Sequence, residues 1–121
     1  MATIDIWEKI FNDTISGKYI VLVNFWAAWR RPCRMFAPTF SKISEIHTDI
    51  VFAKVDTEAE PGLSAAARIT SIPAVMAFRE GILVFSQPGA MNAAGLEQLI
   101  SSIKELDMEE VRAEMAAATV S

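Results

Sequence analysis

Cysteine is all but missing from this chain: Cys33 is the only one in 121 residues. An intramolecular disulfide is therefore excluded. His47 is the only histidine, so the chain holds no cysteine and histidine cluster at metal-ligand spacing and no Cys-His catalytic pair. The five glycines are scattered and form no nucleotide-binding loop. No apolar run approaches the length of a membrane span. The first residues, Met1-Ala2-Thr3-Ile4-Asp5-Ile6, lack a basic segment followed by an apolar stretch of signal-peptide length, so a cytoplasmic location is expected. Positive charge is also scarce, with 11 Lys and Arg against 15 Asp and Glu, and the net charge of −4 argues against general nucleic-acid affinity.

What remains is an ordinary globular composition, 52% hydrophobic and 21% charged. The length fits one domain with a single core that needs neither disulfides nor metals. Asp5 is expected to cap a first helix with Glu8 in its first turn, and Ile6, Trp7, Ile10, Phe11 and Ile15 give it one apolar face ending near Gly17. Residues 19 to 26 are almost continuously apolar, as a central strand covered on both faces requires. Pro32 suits the first turn of a second helix running to about His47, with a kink expected at Pro38. Residues 49 to 56 read as another central strand and residues 61 to 68 as a short helix.

Two apolar segments, Ala74 to Phe78 and Ile82 to Phe85, flank Glu80-Gly81 and predict a hairpin. A last helix from about Asn92 to Leu106 carries Leu96, Leu99, Ile100, Ile103 and Leu106 on one face. Alternating strands and helices followed by a hairpin predict an α/β protein with a central mixed sheet. Residues 1 to 106 form the expected domain. Residues 107 to 121 are expected as a C-terminal extension, frayed or a short helix, with the frayed form favoured. His47, near the end of the second helix, reads as a surface residue, and the carboxylates Glu8, Glu45, Glu58, Glu60 and Glu97 read as solvated helix charges.

The strand at 19 to 26 runs directly into Trp29-Arg30-Arg31-Pro32-Cys33. Further on come Val55-Asp56, Ser71-Ile72-Pro73, Glu80-Gly81 and Gly89-Ala90. In order and spacing, this set over residues 4 to 105 resembles the thioredoxin family. The resemblance implies the thioredoxin fold, a central mixed β-sheet flanked by helices on both faces, and a protein-disulfide reductase ancestry. It also implies that Ile72-Pro73 is a cis peptide bond.

The family's loop reads Trp-Cys-Gly-Pro-Cys, in which the first cysteine attacks a substrate disulfide and the second resolves the mixed disulfide. Arg30 stands in place of that nucleophile and Arg31 in place of the glycine, whereas Trp29, Pro32 and Cys33 match. Asn24 stands where the family has a buried aspartate that accepts a proton, and an amide cannot serve as that base. Lys54 matches the lysine beside that aspartate, so its usual negative partner is gone. Dithiol turnover is thus excluded by counting cysteines.

Trp29, Arg31, Pro32, Ile72, Pro73, Gly89 and Ala90 match the family's peptide-docking face, whose backbone pairing with an extended protein segment needs no thiol. Arg30 and Arg31 at a helix start are suited to an anion such as phosphate, an acidic peptide side chain or a glutathione carboxylate, though pointing both into water is the simpler expectation. The expected function is a peptide-binding or scaffold module without dithiol exchange. Two alternatives stand beside it: monothiol exchange or glutathionylation through Cys33, or an altered form of an active thioredoxin. Cys33 is expected to be covered and inert. No metal or cofactor is expected, and the chain is expected to be a monomer unless Cys33 pairs two copies.

Overall fold

The computed structural model describes residues 3 to 17 and 19 to 120, the last two without their side chains. The described residues form five strands and five helices in the order β1 (Thr3–Asp5), α1 (Glu8–Ile15), β2 (Ile20–Trp26), α2 (Arg31–Ile46), β3 (Ile50–Asp56), α3 (Pro61–Ala66), β4 (Ala74–Arg79), β5 (Ile82–Pro88), α4 (Ala93–Lys104) and α5 (Met108–Val120). The sheet order is β1-β3-β2-β4-β5. β1 and β2 pair parallel to β3, whereas β4 runs antiparallel to both β2 and β5.

Side-chain alternation along β2 divides the core in two. Leu22 faces Phe36, Phe40 and Ile43 of α2 and Leu96, Leu99, Ile100 and Ile103 of α4. Val21, Val23 and Phe25 face Phe11 of α1 and Leu63 of α3. The mixed sheet therefore carries helices on both faces, as the sequence leads one to expect. Phe25, Phe36, Phe40 and Phe52 are fully buried, and each such side chain contributes roughly 1.5 to 3 kcal/mol by leaving water.

At the far end of β4 the hairpin turn places Glu80 (φ 55°) and Gly81 (φ 80°) in the left-handed region, as a two-residue turn matched to strand twist requires. Asn92 caps α4 by accepting a hydrogen bond from the Gly95 N–H at 2.7 Å. The opposite end of α4 is closed by Arg79, whose Nη1 donates to the carbonyls of Ile103 (2.8 Å), Lys104 (3.4 Å) and Leu106 (2.9 Å).

Four expectations change. Asp5 is not a helix cap; it ends β1 and pairs in register with Lys54. The N-cap position of α1 is Trp7, and the exposed Glu8 N–H is satisfied by Glu60 Oε1 at 2.7 Å. Three carboxylates read as merely solvated are engaged, namely Glu60 here, Glu97 with the half-buried His47 at 2.5 Å, and Glu58 at the site below. His47 is thus a link between α2 and α4 rather than a surface residue. Asp49 and Lys104 add a second link at 2.9 Å. The hydrogen-bonded Lys104 ammonium, aided by a backbone N–H, holds the Asp49 carboxyl below its usual range.

The C-terminal extension forms the 13-residue α5. Asp107 Oδ1 accepts from the N–H groups of Glu109 and Glu110, Met108 is buried, and Arg112 Nη1 meets Glu80 Oε1 at 2.9 Å. These anchors favour helix over a frayed end. α2 runs unbroken through Pro38, which leaves the Arg34 carbonyl without its partner four residues on.

Candidate functional site: a one-thiol loop facing a cis-proline

The site lies where β2 ends and β4 begins. The apolar strand β2 drives the chain into a tight turn, in which Arg30 N–H donates to the Ala27 carbonyl at 3.2 Å. Pro32 then fits the first turn of α2, where its missing N–H costs nothing. Trp29 is 61% exposed, and its indole N–H donates to Glu58 Oε1, which fixes the ring. Glu58 is itself set by Asp56, whose Oδ1 accepts from the Glu58 N–H at 2.9 Å.

Cys33 is 2% exposed, within the first turn of α2. The nucleophile position carries a guanidinium instead of a thiol. Contrary to the expectation that both arginines point into water, Arg30 folds back over the Trp29 ring, with its Cζ 5.3 Å from the centroid. Its Nε is buried without a hydrogen-bond partner. Arg31 is exposed, and Arg34 donates from Nη1 to the Ala28 carbonyl at 3.1 Å.

Asn24 is 1% exposed, and its Oδ1 finds no partner. Alternation along β2 puts it on the α2 side of the sheet. The register aligns Asp5, Lys54, Asn24 and Val75 in one row across four strands. Lys54 therefore sits between an amide and a carboxylate, and its Nζ approaches Asp5 Oδ1 at 3.7 Å and the Trp26 ring at 5.7 Å. The cation that lacks a partner at position 24 has one at position 5.

Across from the loop, the Ile72–Pro73 peptide bond is cis. Pro73 is buried and Ile72 half-buried. The Pro73 carbonyl accepts from the Gly89 N–H at 2.7 Å, which brings Gly89 and the exposed Ala90 beside the proline. Gly89 has φ of +99° with open space on its Cβ side, a backbone shape that favours glycine. The structure thus joins Trp29 and Arg30 to Ile72 across one groove of about 400 Å³, with Pro73, Gly89 and Ala90 adjoining it and Arg31 and Pro32 on the first turn of α2.

Sequence reasoning missed the rest of that groove, which Thr57, Ser64, Ile69, Thr70 and Ser71 complete. They come from just past the end of β3, from α3 and from the stretch before the cis-proline, which touch the loop only in the fold. The sole signal was that Thr70 and Ser71 directly precede the Ile72-Pro73 pair.

A mixed five-stranded sheet with helices on both faces, a Trp-x-x-Pro-Cys turn and an opposed cis-proline define a disulfide-exchange scaffold, here with one thiol. The Thioredoxin family model matches residues 2 to 102. The chain is 44% identical to a putative thioredoxin 2 of Streptomyces coelicolor, over 95% of this chain and 86% of that protein. It is 38% identical to thioredoxin C-3 of Corynebacterium nephridii, over 81% and 68% respectively. The solved structure of Malassezia sympodialis thioredoxin superposes with a TM-score of 0.75 at 26% identity, covering 84% of this chain and 90% of that one. This chain belongs to the thioredoxin family of disulfide oxidoreductases. Among the described residues no helix is long and apolar enough to cross a membrane.

Proposed function

We propose that this chain does not turn over disulfides and instead uses its docking face to hold an extended segment of a protein partner. The observation that carries this reading is Arg30 at the nucleophile position together with a lone, buried Cys33. Disulfide exchange needs an exposed thiolate to attack and a second to release product. Cys33 offers neither access nor a resolving partner within the chain.

The docking half of the reading is supported by groups that survive without sulfur. Among the described residues, the N–H and C=O of Ile72 take no part in a hydrogen bond to another part of the chain. An extended strand can pair with such groups while its side chains meet Trp29 and Ile72. The alternative, monothiol exchange or glutathionylation at Cys33, requires the thiol to leave its burial. That burial also argues for a monomer over a disulfide-linked pair, and a cytoplasmic location is part of the same proposal.

The test is insulin disulfide reduction coupled to a thioredoxin reductase. The chain as it stands should give no turnover above the uncatalysed rate. Arg30→Cys should recover part of the activity, which shows that the scaffold still meets reductase and substrate. Sustained turnover by the unaltered chain would overturn the proposal.

A further inference from the structure

Arg30 has unused binding capacity. Among the described residues, neither it nor Arg31 meets a carboxylate, although acids outnumber bases in the chain. No acidic residue occupies the first turn of α2 and no side chain caps it. Glu58, the carboxylate that meets the loop, gives Oε1 to the Trp29 indole rather than to Arg30. The Trp29 ring meanwhile holds the guanidinium against one face, which limits its rotamers and preorganises its planar fork. No hydrogen bond engages its terminal Nη groups among the described residues, so that fork keeps donors for a two-oxygen acceptor.

The groove beside Arg30 supplies further donors. Thr57 and Ser64 are committed, their hydroxyls donating to the carbonyls of Trp26 at 3.1 Å and Glu60 at 2.9 Å. Thr70 and Ser71 are exposed on the same groove, and neither hydroxyl is bonded to another described residue. One guanidinium and two hydroxyls thus line a recess that runs up to Ile72, where an extended segment would pair.

We infer that the position vacated by the nucleophile is an acid-reading subsite: Arg30, with Thr70 and Ser71, takes an anionic side chain of the protein segment docked at Ile72. This deepens the docking proposal and rests on it. A carboxylate and a phosphorylated side chain share the required chemistry, two or more oxygens that accept from a guanidinium and hydroxyls. Selection is by charge and hydrogen bonding, so it weakens as salt rises.

The experiment uses four fluorescein-labelled extended peptides that differ only at a central residue, Glu, Gln, phosphoserine or serine, with binding read by anisotropy on the full chain. The Glu peptide should bind about tenfold more tightly than its Gln twin, as a charge-assisted hydrogen bond implies. The phosphoserine and serine pair distinguishes a phosphate-selective subsite from one satisfied by carboxylate. Arg30→Gln should bring the affinities of the Glu and Gln peptides within about twofold of one another. Arg30→Lys should keep only part of the preference.

Circular dichroism of each variant checks the fold. Equal binding of all four peptides sinks the acid-reading subsite but leaves docking intact. Absence of binding by every peptide sinks docking itself, and the subsite with it. Loss of the preference in Arg31→Gln with its retention in Arg30→Gln would also overturn the assignment.

Discussion

Replacing Asn24 with aspartate turns the row Asp5, Lys54, Asn24 into a measurement of how dry the sheet is beneath the loop. The side chains are nearly the same shape, and the position is 1% exposed. In acid the new carboxyl is protonated in folded and unfolded chains alike, so the variant should match its parent. As pH rises the unfolded chain ionises near the ordinary value of about 3.9, whereas burial opposes ionisation in the folded chain. The folded-state pKa is therefore raised, and stability falls from the unfolded value upward until it levels off above the folded one.

Full burial raises a carboxyl by about 3 to 5 units at most, each worth about 1.4 kcal/mol, which gives roughly 4 to 7 kcal/mol. Lys54 is adjacent in register and offsets part of this, although its ammonium already meets Asp5. The expected loss is about 3 to 4 kcal/mol near pH 8 and less than about 0.5 kcal/mol near pH 4. Urea titrations of both chains at the two pH values read it as a shift in midpoint at constant slope. A stability difference that does not change between the two pH values would refute the reasoning, because it would mean that the carboxyl at position 24 ionises as readily in the folded as in the unfolded chain.

Cys33 at 2% exposure should react with a thiol reagent at least about 100-fold more slowly in the folded than in the denatured chain, since labelling then requires local opening; comparable rates would favour monothiol chemistry. In Lys104→Ala, Asp49 loses the hydrogen bond that lowers its pKa, so its NMR titration midpoint should rise toward the usual carboxylate value. The stability that this pair supplies is present above the usual range and is lost as pH falls through the lowered value. Asp49 is exposed, so the loss should stay below about 0.5 kcal/mol, and an unmoved midpoint would rule out the pairing.

The strands and the large helices were legible because their signals are local. A continuous apolar run such as Val21, Leu22 and Val23 has few alternatives to a strand covered on both faces, and the Glu80-Gly81 turn announces its left-handed backbone through residue type. β1 was not legible, because three residues carry no periodicity and their strand character comes from pairing with Phe52 to Lys54. Asp5 then looked like a cap. His47 and Glu97 lie 50 positions apart, so no reading of neighbours could join them.

At the site, motif spacing located the loop, the proline and the altered positions 24 and 30. It could not say where a guanidinium turns. Arg30 has water and an indole face within reach, and the choice depends on how Glu58, brought in from the end of β3, anchors Trp29. The hydroxyl-bearing wall of the groove likewise exists only once residues 57 to 71 close against the loop. The compensating carboxylate for Lys54 was hidden for the same reason, since it belongs to the strand that the sequence did not disclose.

Arg79 and Glu80 make the pole remote from the docking groove a junction where strand, turn and two helices share charges, about 20 Å along β4 from Pro73 by strand rise. A version shortened after Leu106 would bare the surface that shelters Met108 and release one of the two cations that Glu80 holds, so the first turns of the final helix belong to the same packed unit as the sheet.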